Sequence, residues 1–141
     1  MITTKGRYAL RVLVDLAEHG GGDWIPMKDV ATRQEISLKY LERILPVLTQ
    51  NRLIEGQHGK GGGYRLAQAP ETIHVGDVLR LLEGDLAPVA CVCEGAAPCA
   101  RVSGCRTYQM WKKFGEITNA YFDGITIADL MQPVSGGEYV I

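Results

Sequence analysis

The chain has 141 residues, of which 46% are hydrophobic and 22% charged, and its formal net charge is −1. That length fits one compact domain or a small domain with an appendage, and that composition belongs to a folded protein rather than a disordered one. Arg11, Asp15 and Glu18 break the best apolar run, so no membrane span is expected; the opening MITTKGRYAL has no apolar leader core or cleavage site, which makes a cytoplasmic protein the expectation.

From Thr3 or Thr4 to about His19, Tyr8, Ala9, Val12, Leu13, Leu16 and Ala17 recur with a helical period. A threonine caps the start, and Gly20 to Gly22 end it. Trp24, Ile25 and Pro26 read as extended, because a residue before proline is pushed out of the helical region. Met27 to Gln34 predicts a short helix, Glu35 and Ile36 a turn, and Ser37 the cap of a longer helix carrying Tyr40, Leu41, Ile44, Leu45 and Leu48. Leu53 and Ile54 open a strand, Gly59 to Gly63 form a tight connection, and Tyr64 to Leu66 return. This order is that of a winged helix-turn-helix.

A further short helix is expected over 76–83, with Val78, Leu79 and Leu82 buried. Residues 84–104 are irregular and build no core of their own. A strong helical pattern returns from about Arg106 to Phe122, and Ile125 to Met131 reads as a last short helix. The expected fold class is mainly α with a small β-hairpin wing and a long C-terminal dimerisation helix. The expected divisions are a DNA-binding head over 1–84, a cysteine loop over 85–105, helices over 106–132 and a tail over 133–141.

A reading helix needs polar side chains near its N-terminal end to meet base edges and phosphates. Ser37, Lys39, Tyr40, Glu42 and Arg43 occupy the first two turns here, and Lys28 adds charge from the preceding helix. In the wing, glycines let backbone approach another molecule closely, while His58, Lys60 and Arg65 supply donors and charge. GKGGGY lacks P-loop spacing and is not followed by a helix. Residues 1–70 carry 10 basic against 7 acidic side chains, and residues 71–141 carry 5 against 9. The basic half is the one with the predicted reading helix, although an uneven solvated surface would look the same.

All four cysteines, Cys91, Cys93, Cys99 and Cys105, lie in CVCEGAAPCARVSGC. A cytosolic chain does not keep stable disulfides, so clustered thiols point to metal ligation or a redox switch. The intervals of one, five and five residues fit paired zinc-ribbon motifs poorly. They suit an iron–sulfur cluster, whose own size tolerates wider spacing. His19, His58 and His74 fall in a helix end, a wing and a strand, none beside a nucleophile or paired carboxylate, so no enzyme is expected. A small iron–sulfur carrier is the reading from another class, but it would not need the DNA-reading half.

TTKGRYALRVLVDLA, IPMKDVATRQEISLKYLERIL, HGKGGGYRLA, and LAPVAC followed by Cys99-x5-Cys105 together resemble the IscR/NsrR/CymR superfamily of bacterial winged-helix regulators, most closely its IscR-like members. The resemblance runs to about residue 132. It implies a homodimeric operator-binding repressor in which three cysteines hold an iron–sulfur cluster, [2Fe–2S] being preferred over [4Fe–4S]. Redox state, iron–sulfur status or nitric oxide would be the signal, and iron–sulfur assembly proteins would be possible partners. The family's first cysteine maps to Cys91 by its place after Leu86-Ala87-Pro88-Val89-Ala90, and to Cys93 by its distance from Cys99; the others map to Cys99 and Cys105. The IscR-type histidine position holds Tyr108, and the NsrR-type aspartate position holds Tyr8, so the fourth ligand and the nuclearity stay open. Glu42 coincides with a glutamate that decides which promoters IscR-like proteins accept. Trp111, Phe114, Ile117 and Tyr121 would form the dimer interface, packing within one subunit being the alternative. A cluster-free, CymR-like thiol regulator is the runner-up.

Overall fold

Thr3 caps the first helix, its hydroxyl accepting from the Lys5 N–H at 3.2 Å, and α1 runs Thr4–Gly20 until Gly21 turns into the left-handed region. The computed structural model describes residues 2–97 and 99–131; the tail expected over 133–141 lies outside them. α2 spans Met27–Gln34 and stops at Glu35, whose φ of 54° reverses the chain. Ser37 then caps α3, Leu38–Gln50, by accepting from the Tyr40 N–H at 3.1 Å. Pro46 sits on the solvent side of α3, where the Glu42 carbonyl it leaves without an amide partner can turn to water.

The wing is an antiparallel pair, β1 (Ile54–Gln57) and β2 (Gly63–Leu66), registered Glu55 opposite Arg65. Ile25 extends it: its N–H donates to the Tyr64 carbonyl and the Tyr64 N–H donates back, both at 2.8 Å. Gly63 is required at this junction, because a Cβ there would lie 2.3 Å from the Ile25 carbonyl oxygen at a φ of 153°.

α4 (Val75–Glu83) follows a short 3₁₀ turn at Pro70–Thr72. His74, expected in a strand, instead occupies the cap position of α4 and makes a single bridge to Thr126. Another 3₁₀ turn, Ala90–Val92, packs on α5 (Tyr108–Asp123), and α6 (Ile127–Met131) closes the described chain. α5 starts two residues later than expected, since Thr107 is its cap. α6 starts at Ile127 because the Ile125 carbonyl accepts from the Val75 N–H, tying the segment to α4.

One core gathers Val12, Leu13 and Leu16 of α1, Val30 of α2, Leu41, Ile44 and Leu48 of α3, Ile54, Val78 and Ile127. The amphipathic stripes of α1, α2 and α3 therefore meet in one place and fix the orientation of α3 to the wing. α6 returns to this head and packs on α1, whereas α5 buries only Gly115. Among the described residues no helix is long and apolar enough to cross a membrane.

Candidate nucleic-acid interface and cysteine segment

Lys39, Glu42 and Arg43 stand exposed on α3, opposite the buried Leu41, Ile44, Leu45 and Leu48, and Lys28 is exposed on α2. Ser37 is committed to capping α3, though its hydroxyl hydrogen remains able to donate. Tyr40 is half-buried and packs edge-on against Tyr8 with ring centroids 5.3 Å apart, so α1 braces the reading helix. Arg11 lies over the Tyr8 ring and donates to Gln34 of α2, extending that brace. His58 and Lys60 are exposed at the wing tip.

Arg65 is placed differently from Lys60. It lies on β2 at the wing's base, paired with Glu55 at 2.6 Å and stacked over Trp24. The other two histidines bond to backbone carbonyls: His19 meets Asp15 O and His74 meets Asp123 O.

Two carboxylates flank Gly84, where the head passes into the cysteine segment: one ties α4 to α1, the other closes the segment on itself. Glu83 accepts from the Thr3 hydroxyl, the Thr3 N–H and the Gly6 N–H at 2.7–2.9 Å, gripping the first turn of α1. Burial opposes ionisation of Glu83, but these donors outweigh it and hold its pKa below the ordinary glutamate range. Asp85 accepts from the Ala87 N–H at 2.7 Å and the Glu94 N–H at 2.9 Å, closing a ring of chain around Cys91 and Cys93. Arg80 of α4 reaches α5, donating to Asn119 at 2.7 Å and to Asp123. An open groove of about 750 Å³ lies where α4, the cysteine segment and α5 meet.

Cys91 and Cys93 are half-buried, while Cys99 and Cys105 are exposed. Among the described residues no three histidine, cysteine or acidic side chains converge as metal ligands. The hydroxyl of Thr107, 3.5 Å from the Cys105 sulfur, lowers that thiol's pKa, helped by nearby backbone N–H groups and Arg101. On α5, Met110 (53%), Phe114 (53%), Ile117 (56%) and Tyr121 (50%) face solvent. Trp111 is half-buried and meets Phe114 edge-on. Packing within the subunit does not consume this face.

Sequence reasoning missed several partners. Asp15, which in the sequence only interrupts an apolar run, is buried against Arg33 and Gln34. The roles of Trp24, Glu83 and Asp85 also carried no local signal, since each depends on a partner distant in the chain or on a loop closure. Leu38, at the first position of α3, is exposed beside the polar reading face, and only its place just after the cap could have singled it out.

Residues 2–133 match the family model Rrf2, described as an iron-dependent transcriptional regulator. The chain belongs to the Rrf2 family. The protein rrf2 of Nitratidesulfovibrio vulgaris is 40% identical over 134 residues, covering 95% of this chain and 89% of that protein. Among solved structures, CymR, the global cysteine regulator of B. subtilis, superposes with a TM-score of 0.76 at 32% identity, covering 93% of this chain and 95% of that one. The T. potens IscR structure does so with a TM-score of 0.74 at 32% identity, covering 96% and 93%. These matches bear out the resemblance read from the motifs and the winged-helix architecture. This Rrf2 chain is a DNA-binding transcriptional regulator, not an enzyme.

Proposed function

We propose that this Rrf2 protein is a cytoplasmic homodimeric repressor that reads operator DNA and whose grip is set by an iron–sulfur cluster held on its cysteine segment. The observation that carries the reading is the position of that segment. It runs between the head and α5, closed at its base by Asp85 and following directly on Glu83, the last residue of α4, which grips the first turn of α1. Four thiols there are the soft donors an iron–sulfur group takes, and lowering of the Cys105 pKa favours the thiolate that ligation needs. Cys99 and Cys105 with Cys91 or Cys93 would hold the group, [2Fe–2S] in preference to [4Fe–4S]. When bound it would supply sensitivity to oxidants, nitric oxide and iron supply, and assembly proteins would deliver it.

The exposed apolar face of α5, with Trp111, Phe114, Ile117 and Tyr121, would bury itself against a second copy. A twofold pair sets two reading helices about 34 Å apart, one turn of duplex. Lys39, Tyr40, Glu42 and Arg43 would then meet the major groove, Ser37 and Lys28 the phosphates, and His58 and Lys60 the flanking backbone. Ordering the loop costs conformational entropy, which ligation at the cysteines would offset. A coupling of about 1–3 kcal/mol between loop and head would change operator affinity about 5- to 150-fold.

The exposed, acidified Cys105 also favours a second reading, in which thiol oxidation itself is the signal. Anaerobic purification followed by visible spectroscopy and iron and sulfide analysis separates the two. Gel shifts on genomic fragments with loaded, stripped and thiol-oxidised protein complete the test. Iron and sulfide with cluster-dependent binding supports the first reading. Colourless protein with thiol-dependent binding moves the conclusion to the second. A protein whose affinity is the same in all three states defeats both.

A further inference from the structure

We propose that Arg65 is the positioning residue of the wing: it aims the His58–Lys60 tip at DNA instead of contacting phosphate itself. Two of its three head-group nitrogens and one face of the guanidinium are engaged. Nε donates to Glu55 Oε1 at 2.6 Å across the hairpin, Nη1 donates to the Gly22 carbonyl at 3.2 Å, and the guanidinium carbon lies 4.0 Å from the centre of the Trp24 ring. Glu55 also cancels its charge locally. One side chain thus ties β2 to β1 and to the loop between α1 and α2.

The wing needs such a tie. A two-stranded hairpin of four residues a side is marginal by itself, and its backbone joins the head's α1–α2 loop through the Ile25–Tyr64 bridge. Lys60 lies in the connecting turn, five residues before Arg65 and on the order of 10 Å further from the base. A tilt of about 10° at the base therefore moves the tip about 2 Å, which exceeds the tolerance of a hydrogen bond to phosphate. The planar guanidinium can stack and fork at once, which an ammonium cannot do.

The proposal rests on the wing touching DNA, so the experiment tests that contact in its own arm. Binding of the full-length protein to a mixed-sequence duplex of about 30 base pairs is measured by fluorescence anisotropy across salt concentrations. The proteins are wild type, Arg65→Lys, Trp24→Leu and the tip variant His58→Ala/Lys60→Ala, with the tip variant also combined with each of the other two. Neither Arg65→Lys nor Trp24→Leu changes charge. Each is expected to weaken binding about three- to tenfold and to lower the salt slope by about one, as the tip variant does. Adding the tip variant to either should cost nothing further, because the tip is already displaced.

The proposal is overturned if Arg65→Lys and Trp24→Leu bind like wild type, or if the tip variant costs the same in every background. The second outcome also exposes general destabilisation, which would leave the tip's own contribution intact. If the tip variant has no effect in otherwise wild-type protein, the wing makes no contact and the proposal falls with that reading. Wild type that binds no duplex would instead sink the wider account of the head.

Discussion

The buried carboxylate of Asp15 in α1 is clasped by Arg33 of α2, with Nη2 at 2.6 Å from Oδ1 and Nε at 3.1 Å from Oδ2. Gln34 adds a third donor at 2.8 Å. Burial raises the Asp15 pKa, but the bonds from Arg33 and Gln34 and the charges of Arg33 and His19 prevail and lower it. Because the folded pKa is depressed, the stabilisation is complete above the unfolded aspartate value of about 3.9. It is lost as pH falls through the lower folded value. Asp15→Asn should cost about 2 kcal/mol at neutral pH, less than a fully buried pair because Arg33 is partly exposed. Thermal melts across pH check this: the gap between variant and wild type should begin to narrow below about pH 4 and close only beneath the lower folded value. A gap that persists unchanged in acid contradicts the assignment.

Glu42 stands exposed on the face of α3 proposed to meet the groove. A carboxylate there accepts from cytosine and repels phosphates and acceptor-rich edges, so it rejects sequences more than it attracts one. Glu42→Ala should broaden the range of duplexes bound, relaxing discrimination by about 1–3 kcal/mol at the affected base pair. Selection from a randomised duplex pool reads this directly, and an unchanged preference at every position refutes it.

Phe114 and Ile117 each leave half or more of their surface in water. Replacing either with glutamate would place a charge in the centre of the proposed twofold interface. Phe114→Glu should convert the proposed dimer to monomer in sedimentation analysis and weaken operator binding at least tenfold through lost bivalency. The melting temperature of the head should change little, since the residue lies outside the core. Wild type that sediments as a monomer defeats the interface assignment.

Asp85 closes the ring around Cys91 and Cys93 with two backbone donors, so its removal frees that turn alone. Asp85→Ala should accelerate alkylation of Cys91 and Cys93 about threefold or more, the loss of two partly solvated hydrogen bonds. The exposed Cys105 serves as the internal control, because its reactivity should not change. Peptide mass spectrometry resolves the three sites. Equal rates in variant and wild type would mean that the ring does not restrain the thiols.

Periodicity made the helices legible: those of the head carry stripes that face the core, and α5 shows the same period although its stripe is uncovered. Leu41, Ile44, Leu45 and Leu48 recur at the spacing of a helix face and are all buried. Ser37 and the glycines of the wing were equally readable, since capping and tight turns are local chemistry. Arg65 was not. As a residue type in a basic wing it looks like a phosphate contact, and only its placement beside Glu55 and Trp24 reveals other partners.

The amino-acid order determined the helix-turn-helix, the wing and the gathering of four thiols in one segment, because each follows from interactions within a few residues. Folding in three dimensions decided which charges are spent. It sent Asp15 inward to Arg33, bound Glu83 to a turn 80 residues away, and left the aromatic side of α5 uncovered. The physical reason is that a hydrogen bond or an ion pair depends on distance in space, and sequence spacing encodes that distance only within a single element.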